Sequence, residues 1–272
     1  MTTQTAAANK LRLGFIGFGH MAKAIAHGLS NHPGYQLSAA APSLPIGKNK
    51  AQIMTHYDNR TIAATADVII LAVKPNQIPQ VYAEIQTIIP KSCLIISVAT
   101  GISLSWFANN HPQPLACIRA MPNLGATIQQ SATPLIANAF ASQHHKQIAF
   151  DIFSSIGFAM WVDSENDIDR LTAISGSGPA YVFLFIESLI NAAKTLGLSE
   201  NIAQIFSLQT VQAAVNLACS SNSTLEELRH QVTSPGGTTA AAINIFLNHG
   251  FDDLIALATK AAYHRAQELG LK

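Results

Sequence analysis

The chain has 272 residues, a formal net charge of +1, 49% hydrophobic residues and only 11% charged residues. This length is comfortable for two domains with sizeable cores. The balanced charge gives no electrostatic case for binding nucleic acid or an anionic membrane, and so few charges favour an oligomer whose second subunit hides part of the surface.

The N-terminal segment, the apolar runs and the cysteines bear on where the protein is located. The segment from Met1 to Lys10 is polar and lacks the apolar core of a signal peptide. Charged or polar residues interrupt the two longest apolar runs, which argues against a membrane span. These residues are Asp67 and Lys74 in one run and Glu187, Asn191 and Lys194 in the other. Three distant cysteines, Cys93, Cys117 and Cys219, are expected to be small buried residues in a reducing compartment. We therefore expect a cytoplasmic protein.

A strand, a glycine turn and a helix are predicted in succession near the N-terminus. Leu11 to Ile16 has the pattern of a short buried strand, and a helix is predicted to extend to about Leu29. Between them lies Gly17-Phe18-Gly19-His20-Met21-Ala22. In a dinucleotide-binding fold the first glycine makes the turn, the second lets the backbone approach the pyrophosphate, and a third small residue allows close helix–strand packing. The segment therefore predicts a dinucleotide-binding turn.

The second predicted strand, Gln36 to Ala41, bears on which dinucleotide binds. An acidic residue at its end would bind the ribose 2′-hydroxyl of NAD, and no Asp or Glu is there. Ser43, Lys48 and Lys50 follow instead, and a hydroxyl with two cations suits a 2′-phosphate. The alternative is that the lysines are solvated charges on the next helix.

The remaining N-terminal elements alternate between strand and helix. Asp67 to Val73 is a continuous apolar run, typical of a parallel strand buried on both faces, and Lys74-Pro75 ends it before a helix from Gln77 to Ile88. Further strands are predicted at Leu94–Val98, Ala116–Met121, Thr133–Asn138 and Gly157–Val162, with a helix at Ser142–Ile156. This alternation predicts an α/β fold with a Rossmann-type doubly wound sheet in residues 1–164.

From Glu165 onward the pattern is helical, which predicts an all-helical domain in residues 165–272. Ser175-Gly176-Ser177-Gly178-Pro179 is expected to be a small-residue loop before a helix that ends near Gly197. That helix is apolar nearly all round from Ala180 to Ile190, so we expect a second copy to cover it. Four later helices are predicted. The first runs from Ser199 to about Cys219, and the second follows a capping box at Thr224 and Glu227. The third ends at Asn248, and the last begins at about Asp252.

The segment Thr233-Ser234-Pro235-Gly236-Gly237-Thr238-Thr239 is predicted to form a tight loop that opens a helix. The amides of a first helical turn lack intrahelical partners and lie at the positive end of the helix dipole, so an anion would bind there. The alternative is that Thr238 or Thr239 is only a helix N-cap.

These motifs together resemble the pyrroline-5-carboxylate reductase family, from about Leu11 to Leu269. Besides the glycine turn, the resemblance rests on Leu71–Pro75, Ser175–Tyr181 and Thr233–Thr239. It implies reduction of the C=N bond of 1-pyrroline-5-carboxylate to L-proline, the last step of proline biosynthesis, with NADPH or NADH as cofactor. It also implies a Rossmann domain, helical domains that interleave as a homodimer or a larger assembly of dimers, and an active site between the two domains.

The resemblance implies roles for individual residues. Pyrophosphate contacts are expected at Ile16, Gly17, Phe18, Gly19, His20, Met21 and Ala22, and adenosine contacts at Ser43 and Asn59. Nicotinamide-side contacts are expected at Ala72, Val73, Lys74, Pro75, Val98, Ala99 and Thr100. Gln231 stands where an Asn that contacts the cofactor is common. Substrate and catalytic positions are Ser234, Gly237, Thr238 and Thr239, with Glu165 nearby. Ser43-Leu44 replaces the Ser-Arg that is frequent in the family, which leaves NADH open beside NADPH.

The chemistry agrees with a site poor in acids and bases. A protonated iminium already carries the proton that the product nitrogen keeps, so the protein mainly has to supply position and a hydrogen-bond partner. No metal-binding spacing is present among the ten histidines. Two other functions remain open. A dehydrogenase of small hydroxy acids would place a lysine acid/base on the long buried helix, and a dinucleotide-sensing module would bind cofactor without turnover.

Overall fold

The computed structural model describes residues 10–270, which fall into two compact units. The first unit comprises residues 10–177 and 262–270, and the second comprises residues 178–261. The expectation about a signal peptide concerns the first ten residues, and all but Lys10 lie outside the described residues. The second compact unit begins at Gly178, later in the chain than the predicted domain boundary between residues 164 and 165. That boundary stays a prediction.

The first unit is built on a nine-stranded sheet. Its strands are β1 (Leu11–Ile16), β2 (Tyr35–Ala40), β3 (Gly47–Lys48), β4 (Met54–His56), β5 (Val68–Leu71), β6 (Leu94–Ser97), β7 (Cys117–Ala120), β8 (Ser131–Ala137) and β9 (Gly157–Trp161). The order is β3-β4-β2-β1-β5-β6-β7-β8-β9. The strands β4, β2, β1, β5, β6 and β7 are parallel, whereas β8 pairs antiparallel with β7. This arrangement confirms the predicted doubly wound fold.

Helices cover both faces of this sheet. They are α1 (His20–Gly28), α2 (Asn59–Ala63), α3 (Ile78–Ile85), α4 (Leu104–Asn110), α5 (Gln143–Ser154) and α6 (Glu165–Leu171). One apolar core packs Phe15 of β1 with residues of α1 and α5, such as Ile25 and Phe153. The other packs Ile69 of β5 with Tyr82 of α3 and Phe107 of α4. The central strands are buried on both faces, which explains their continuous apolar runs.

The segment after β2 contains a hairpin that was not predicted. The alternative that Lys48 and Lys50 lie on a helix is wrong, because β3 and β4 form an antiparallel hairpin there. The Asn49 side chain accepts hydrogen bonds from the amides of Ala51 (2.9 Å) and Ile53 (3.1 Å), which closes the turn. The hydroxyl of Thr55, which is 1% exposed, donates to backbone carbonyls across the hairpin. These local polar contacts stabilise a hairpin that hydrophobic periodicity does not indicate.

The predicted loop at 175–179 is also wrong. Thr172–Gly176 forms a π-helical turn that runs directly from α6 toward the next helix. The amide of Ser177 donates to the carbonyl of Thr172 at 2.8 Å, five residues back. Small residues favour a loop by propensity, but here the backbone hydrogen bonds continue from α6. The hydroxyls of Thr172 and Ser175 donate to the carbonyls of Ile168 and Leu171 one turn earlier, so they do not compete for the backbone amides.

The second unit is helical, as predicted. It contains α7 (Gly178–Thr195), α8 (Glu200–Ser220), α9 (Leu225–Gln231), α10 (Thr238–Asn248) and most of α11 (Phe251–Gly270), whose last residues belong to the first unit. No residue of α7 is buried in the single chain, and its exposed apolar residues include Val182, Phe183, Leu184 and Phe185. Cys219 on α8 is exposed as well, contrary to expectation, because α8 has few covered positions. Burial raises the pKa of the Cys93 thiol to about 12.

Two helical segments have the length and composition of a membrane span, Glu165–Thr195 and Glu200–Ser220. The charged residues named above therefore do not exclude a span, because an 18-residue window of the first segment tolerates its few charges. Apolar helices with uncovered faces also occur where a second protein copy packs.

Candidate functional site

The glycine turn after β1 has the geometry of a dinucleotide cradle. Gly17 has φ +84°, a conformation that favours glycine, and a Cβ there would lie 2.6 Å from Val73 and 2.8 Å from the Ala72 backbone. Gly19 faces open space, since no atom lies within 4 Å of a Cβ added there. The turn is thus tight at its first glycine and open at its second, as close approach of a pyrophosphate to the backbone requires.

The start of α1 can accept that pyrophosphate. Gly19 is its N-cap and provides no side-chain hydrogen bond, so the first-turn amides of this nine-residue helix keep their donor capacity. Ala22 is fully buried against the sheet, which fits the packing role expected of the third small residue. His20 is exposed, while Phe18 and Met21 are half-buried. The residues present therefore fit a bound dinucleotide.

The loops after β5 and β6 lie beside this turn at the carboxyl edge of the sheet. The Ala72 amide donates to the carbonyl of Ile16 (2.8 Å), and the Val98 amide donates to the carbonyl of Leu71 (3.2 Å). The two predicted nicotinamide-side segments, residues 72–75 and 98–100, therefore follow adjacent strands at the same edge as residues 16–19. Ligands of open α/β sheets bind outside this edge.

Thr100 leads from this edge to the π-helical turn. Its hydroxyl contacts the sulfur of Met121 at 3.7 Å, and the Met121 methyl would lie 3.3 Å from a Cβ added to Gly176. The Asn123 side-chain amide donates to the carbonyl of Ser175 at 2.9 Å. The structure therefore places the predicted nicotinamide side close to the small-residue segment of the family resemblance. π-Helical turns are frequent at functional sites.

Glu165 takes part in a buried ion cluster. Its Oε1 accepts hydrogen bonds from the Leu104 amide (2.9 Å) and from Arg119 Nη1 (3.3 Å), and Arg119 Nη2 donates to Asp169 at 2.6 Å. The Arg119 side chain is only 3% exposed. Two carboxylates thus share one buried guanidinium and tie α6 to β7 and α4. The expected place of Glu165 near the substrate stays a prediction.

Sequence reasoning missed Arg119 and Asp169. A signal was available, because Arg119 is the single charged residue in the apolar strand Ala116–Met121. A charge in such a strand needs a partner when it is buried. The partners lie 46 and 50 residues away, so the sequence alone does not identify them.

The residues expected on the adenosine side take different positions. Ser43 is exposed just after β2, where a ribose would lie. Asn59 begins α2 and is 9% exposed, with its amide donating to Glu84 on α3 at 3.3 Å. The contact of Asn59 with adenosine stays a prediction.

In the second unit, the loop before α10 is open and glycine-rich. Gly236 has φ +73°, and the Gly237 amide donates to the carbonyl of Ser234 at 3.0 Å, which closes the turn. Gly237 is the N-cap of the eleven-residue helix α10 and supplies no capping side chain. The alternative that Thr238 or Thr239 is the N-cap is therefore wrong, since both lie within the first turn. Thr238 is exposed and Thr239 is half-buried.

Gln231 ends α9 and is exposed.

A surface cavity of about 660 Å³ lies elsewhere, between α5 and the strands β8 and β9, and is lined by Lys146, Phe150 and Trp161 among others. None of the predicted site residues lines it. The candidate binding elements are therefore an open edge of the sheet in one unit and an open helix start in the other.

Comparison with known proteins assigns this chain to a family. Residues 165–269 match the family model for pyrroline-5-carboxylate reductase dimerisation, and residues 12–101 match the model for NADP oxidoreductase, coenzyme F420-dependent. The pyrroline-5-carboxylate reductase of Pseudomonas aeruginosa is 38% identical and covers 95% of this chain and 96% of its own length. The pyrroline-5-carboxylate reductase of Synechocystis is 37% identical, and the match covers 96% of this chain and 99% of the relative.

Solved structures agree with this assignment. The structure of a pyrroline-5-carboxylate reductase from Coxiella burnetii superposes with a TM-score of 0.87 at 37% identity, covering 96% of this chain and 99% of the other. The Plasmodium falciparum pyrroline carboxylate reductase with NADP bound gives a TM-score of 0.87 at 30% identity, covering 97% and 100%. Identity above 30% over nearly the whole chain shows common ancestry as well as a common fold. The chain belongs to the pyrroline-5-carboxylate reductase family.

Proposed function

We propose that this protein reduces the C=N bond of 1-pyrroline-5-carboxylate to L-proline with NADPH, the last step of proline biosynthesis. The observation that carries the proposal is the presence, in a chain of this family, of two complementary binding elements. One is the glycine cradle at Gly17–Gly19, and the other is the glycine-opened start of α10. The first fits a dinucleotide, and the second fits a small carboxylate.

The residues of the chain mainly bind and orient. When bound, the reduced nicotinamide supplies the hydride that the imine carbon accepts. The first-turn amides of α10 bind the substrate carboxylate at the positive end of the helix dipole. The hydroxyl oxygen of Thr239 accepts a hydrogen bond from the iminium N–H and so orients the ring. The loop residues Ser234 and Gly237 shape this carboxylate site, and Thr238 supplies a second hydroxyl.

Alignment is the main contribution in this mechanism. The iminium substrate arrives protonated, so no side chain has to release a proton to the ring nitrogen. Holding two reactants in place supplies a large part of the rate enhancement in such reactions. The carboxylate of Glu165 is held by Arg119 and the Leu104 amide, and we assign it an electrostatic role near the substrate.

NADPH is the favoured cofactor, with NADH as an alternative. The end of β2 carries no acidic residue that would repel a 2′-phosphate, and Ser43 is exposed there. The family model for NADP oxidoreductases over residues 12–101 and the NADP-bound Plasmodium falciparum relative support this choice. We expect a higher kcat/KM with NADPH than with NADH.

The functional form is a homodimer, or a larger assembly of dimers, and its location is the cytoplasm. The exposed apolar residues of α7 and α8 lie within the segment that matches the dimerisation model, which favours a second copy over a membrane as their covering. An apolar surface of this kind is costly to leave in water.

The test is to mix the purified protein with pyrroline-5-carboxylate and each reduced nicotinamide and to follow the oxidation of the cofactor and the formation of proline. Proline formation with NADPH supports the proposal. Cofactor binding without turnover would favour a dinucleotide sensor. Oxidation of a small hydroxy acid with NADP⁺, in the absence of pyrroline-5-carboxylate reduction, would favour the related dehydrogenase.

A further inference from the structure

The residue that recognises the 2′-phosphate can be sought from the strand register, and this inference rests on the proposed use of NADPH. Ile16, Ala40 and His56 form one row across β1, β2 and β4. The Gly17 amide donates to the carbonyl of Ala40 (2.8 Å), and the Ala41 amide donates to the carbonyl of His56 (3.2 Å). The glycine turn and the ends of β2 and β4 therefore lie side by side at the carboxyl edge.

The end of this row lies where a dinucleotide-binding fold holds the adenosine. Adjacent strands are about 4.8 Å apart, so His56 lies roughly 10 Å from Ile16 at the level of the cradle. In such folds the ribose of the adenosine lies at the end of the second strand, which here is Ala40, three residues before Ser43. His56 is paired with Ala40 on the outer side of that strand. Its side chain is half-buried, and Ser43 is exposed.

The hairpin carries the lysines away from this edge. Because β3 runs antiparallel to β4, Lys48 lies opposite Met54, two residues before His56. Two residues of strand span about 7 Å. Lys50 lies farther still, in the turn closed by Asn49 at the amino end of β4. The backbone of Lys50 therefore lies farther from this edge than that of Lys48, and the expectation that the two lysines serve a 2′-phosphate stays a prediction.

The other charged groups near β4 have different contacts. The Asp58 carboxylate caps α2 by accepting from the Arg60 amide (2.9 Å), and Arg60 Nη1 donates to the carbonyl of Glu84 (3.5 Å). The Thr55 hydroxyl holds the hairpin, donating to the carbonyls of Pro45 (2.6 Å) and Gly47 (2.9 Å). The hairpin that carries His56 is thus anchored by its own hydrogen bonds.

We infer that His56, together with the hydroxyl of Ser43, recognises the 2′-phosphate of NADPH. An imidazole donates at least one N–H in either protonation state and adds a positive charge when protonated. In this chain Leu44 follows Ser43, so the residue directly after it supplies no cation. The discriminating donor comes instead from β4, which the strand register places beside the end of β2.

The experiment measures binding of adenosine 2′,5′-bisphosphate and of AMP by calorimetry to the full-length protein, without substrate or nicotinamide. The wild-type protein is expected to bind the bisphosphate more tightly. His56→Phe keeps a planar ring and removes both ring nitrogens, so it should lower the bisphosphate-to-AMP affinity ratio about tenfold, as expected for one charge-assisted hydrogen bond. Unchanged AMP affinity shows that the variant is folded.

Three further variants sharpen the test. His56→Arg should maintain or raise the ratio, and it keeps the inference testable if His56→Phe folds poorly. Lys48→Met and Lys50→Met remove the two rival cations, and each should leave the ratio unchanged. An unaltered ratio in His56→Phe, a loss in His56→Arg, or a loss in either lysine variant equal to that in His56→Phe would overturn the inference.

The measurement of the bisphosphate-to-AMP affinity ratio and the turnover test can fail independently of each other. If the wild-type protein forms proline while His56→Phe keeps its ratio, only the role of His56 is lost. If the ratio falls in His56→Phe but pyrroline-5-carboxylate is not reduced, the proposed function is lost and the phosphate site stands.

Discussion

Thr239 offers the sharpest test of the proposed chemistry, because the structure separates its catalytic role from a structural one. The substitution Thr239→Val keeps the shape of the side chain and removes the hydroxyl. The N-cap of α10 is Gly237, so the hydroxyl of Thr239 does not cap the helix. Threonine and valine have similar helix propensities, so we expect the free energy of unfolding to change by less than about 0.5 kcal/mol.

The kinetic effect should be much larger. A hydrogen bond to a charged group contributes about 1.5–3 kcal/mol, which corresponds to a roughly 10- to 100-fold loss of kcat/KM for pyrroline-5-carboxylate. The dissociation constant for NADPH should not change, because the hydroxyl of Thr239 is assigned to the substrate nitrogen and not to the cofactor.

The assay combines steady-state kinetics at saturating NADPH, cofactor titration and chemical denaturation of the same preparations. Thr195→Val is the matched control, since Thr195 is exposed at the end of α7 and its hydroxyl donates only to the carbonyl of Ala192. A kcat/KM within about twofold of the wild-type value in Thr239→Val would refute the assignment of its hydroxyl to the substrate nitrogen.

Three other predictions follow from the fold. Gly17→Ala forces a Cβ into φ +84° and within 2.6 Å of the chain after β5, so calorimetry should show NADPH affinity reduced by at least about tenfold, and normal affinity would contradict the cradle. Asp169→Asn removes the negative charge of one partner of Arg119, which is 3% exposed, and should lower the free energy of unfolding by about 2–3 kcal/mol in urea denaturation. Glu268→Gln breaks an exposed ion pair and should cost less than about 0.5 kcal/mol, so equal losses in the two variants would contradict the effect of burial. Phe183→Glu places a charge on the apolar face of α7, where Phe183 is 52% exposed, and should produce monomers in sedimentation at micromolar concentration, whereas an unchanged dimer would place the interface elsewhere.

Local pattern was sufficient for most secondary structure and for the dinucleotide turn. The buried strands are continuous apolar runs, and Gly17 and Gly19 lie between a strand and a helix whose third residue is Ala22. Each of these features is set by residues close in sequence, through burial, backbone freedom and packing. The capping box at Thr224 and Glu227 was confirmed for the same reason.

Local pattern failed where several weak hydrogen bonds decide the backbone. The side chains of Asn49 and Thr55 close the hairpin β3–β4, and the hydroxyls of Thr172 and Ser175 donate to carbonyls one turn earlier in the helical segment. Propensity rules treat these residue types as loop formers. They do not tell which partner such a side chain will take, so the hairpin was not predicted and a loop was wrongly predicted at residues 175–179.

The sequence by itself determined the alternation of buried strands and helices in the first unit, the glycine turn after β1 and the helical character of the second unit. Only the tertiary structure decided which distant residues meet. Arg119 reaches Glu165 and Asp169, and His56 lies in a row with Ile16, because strand order and register bring them together. Register is set by burial summed over the whole sheet, and a shift of one residue would turn each side chain to the opposite face.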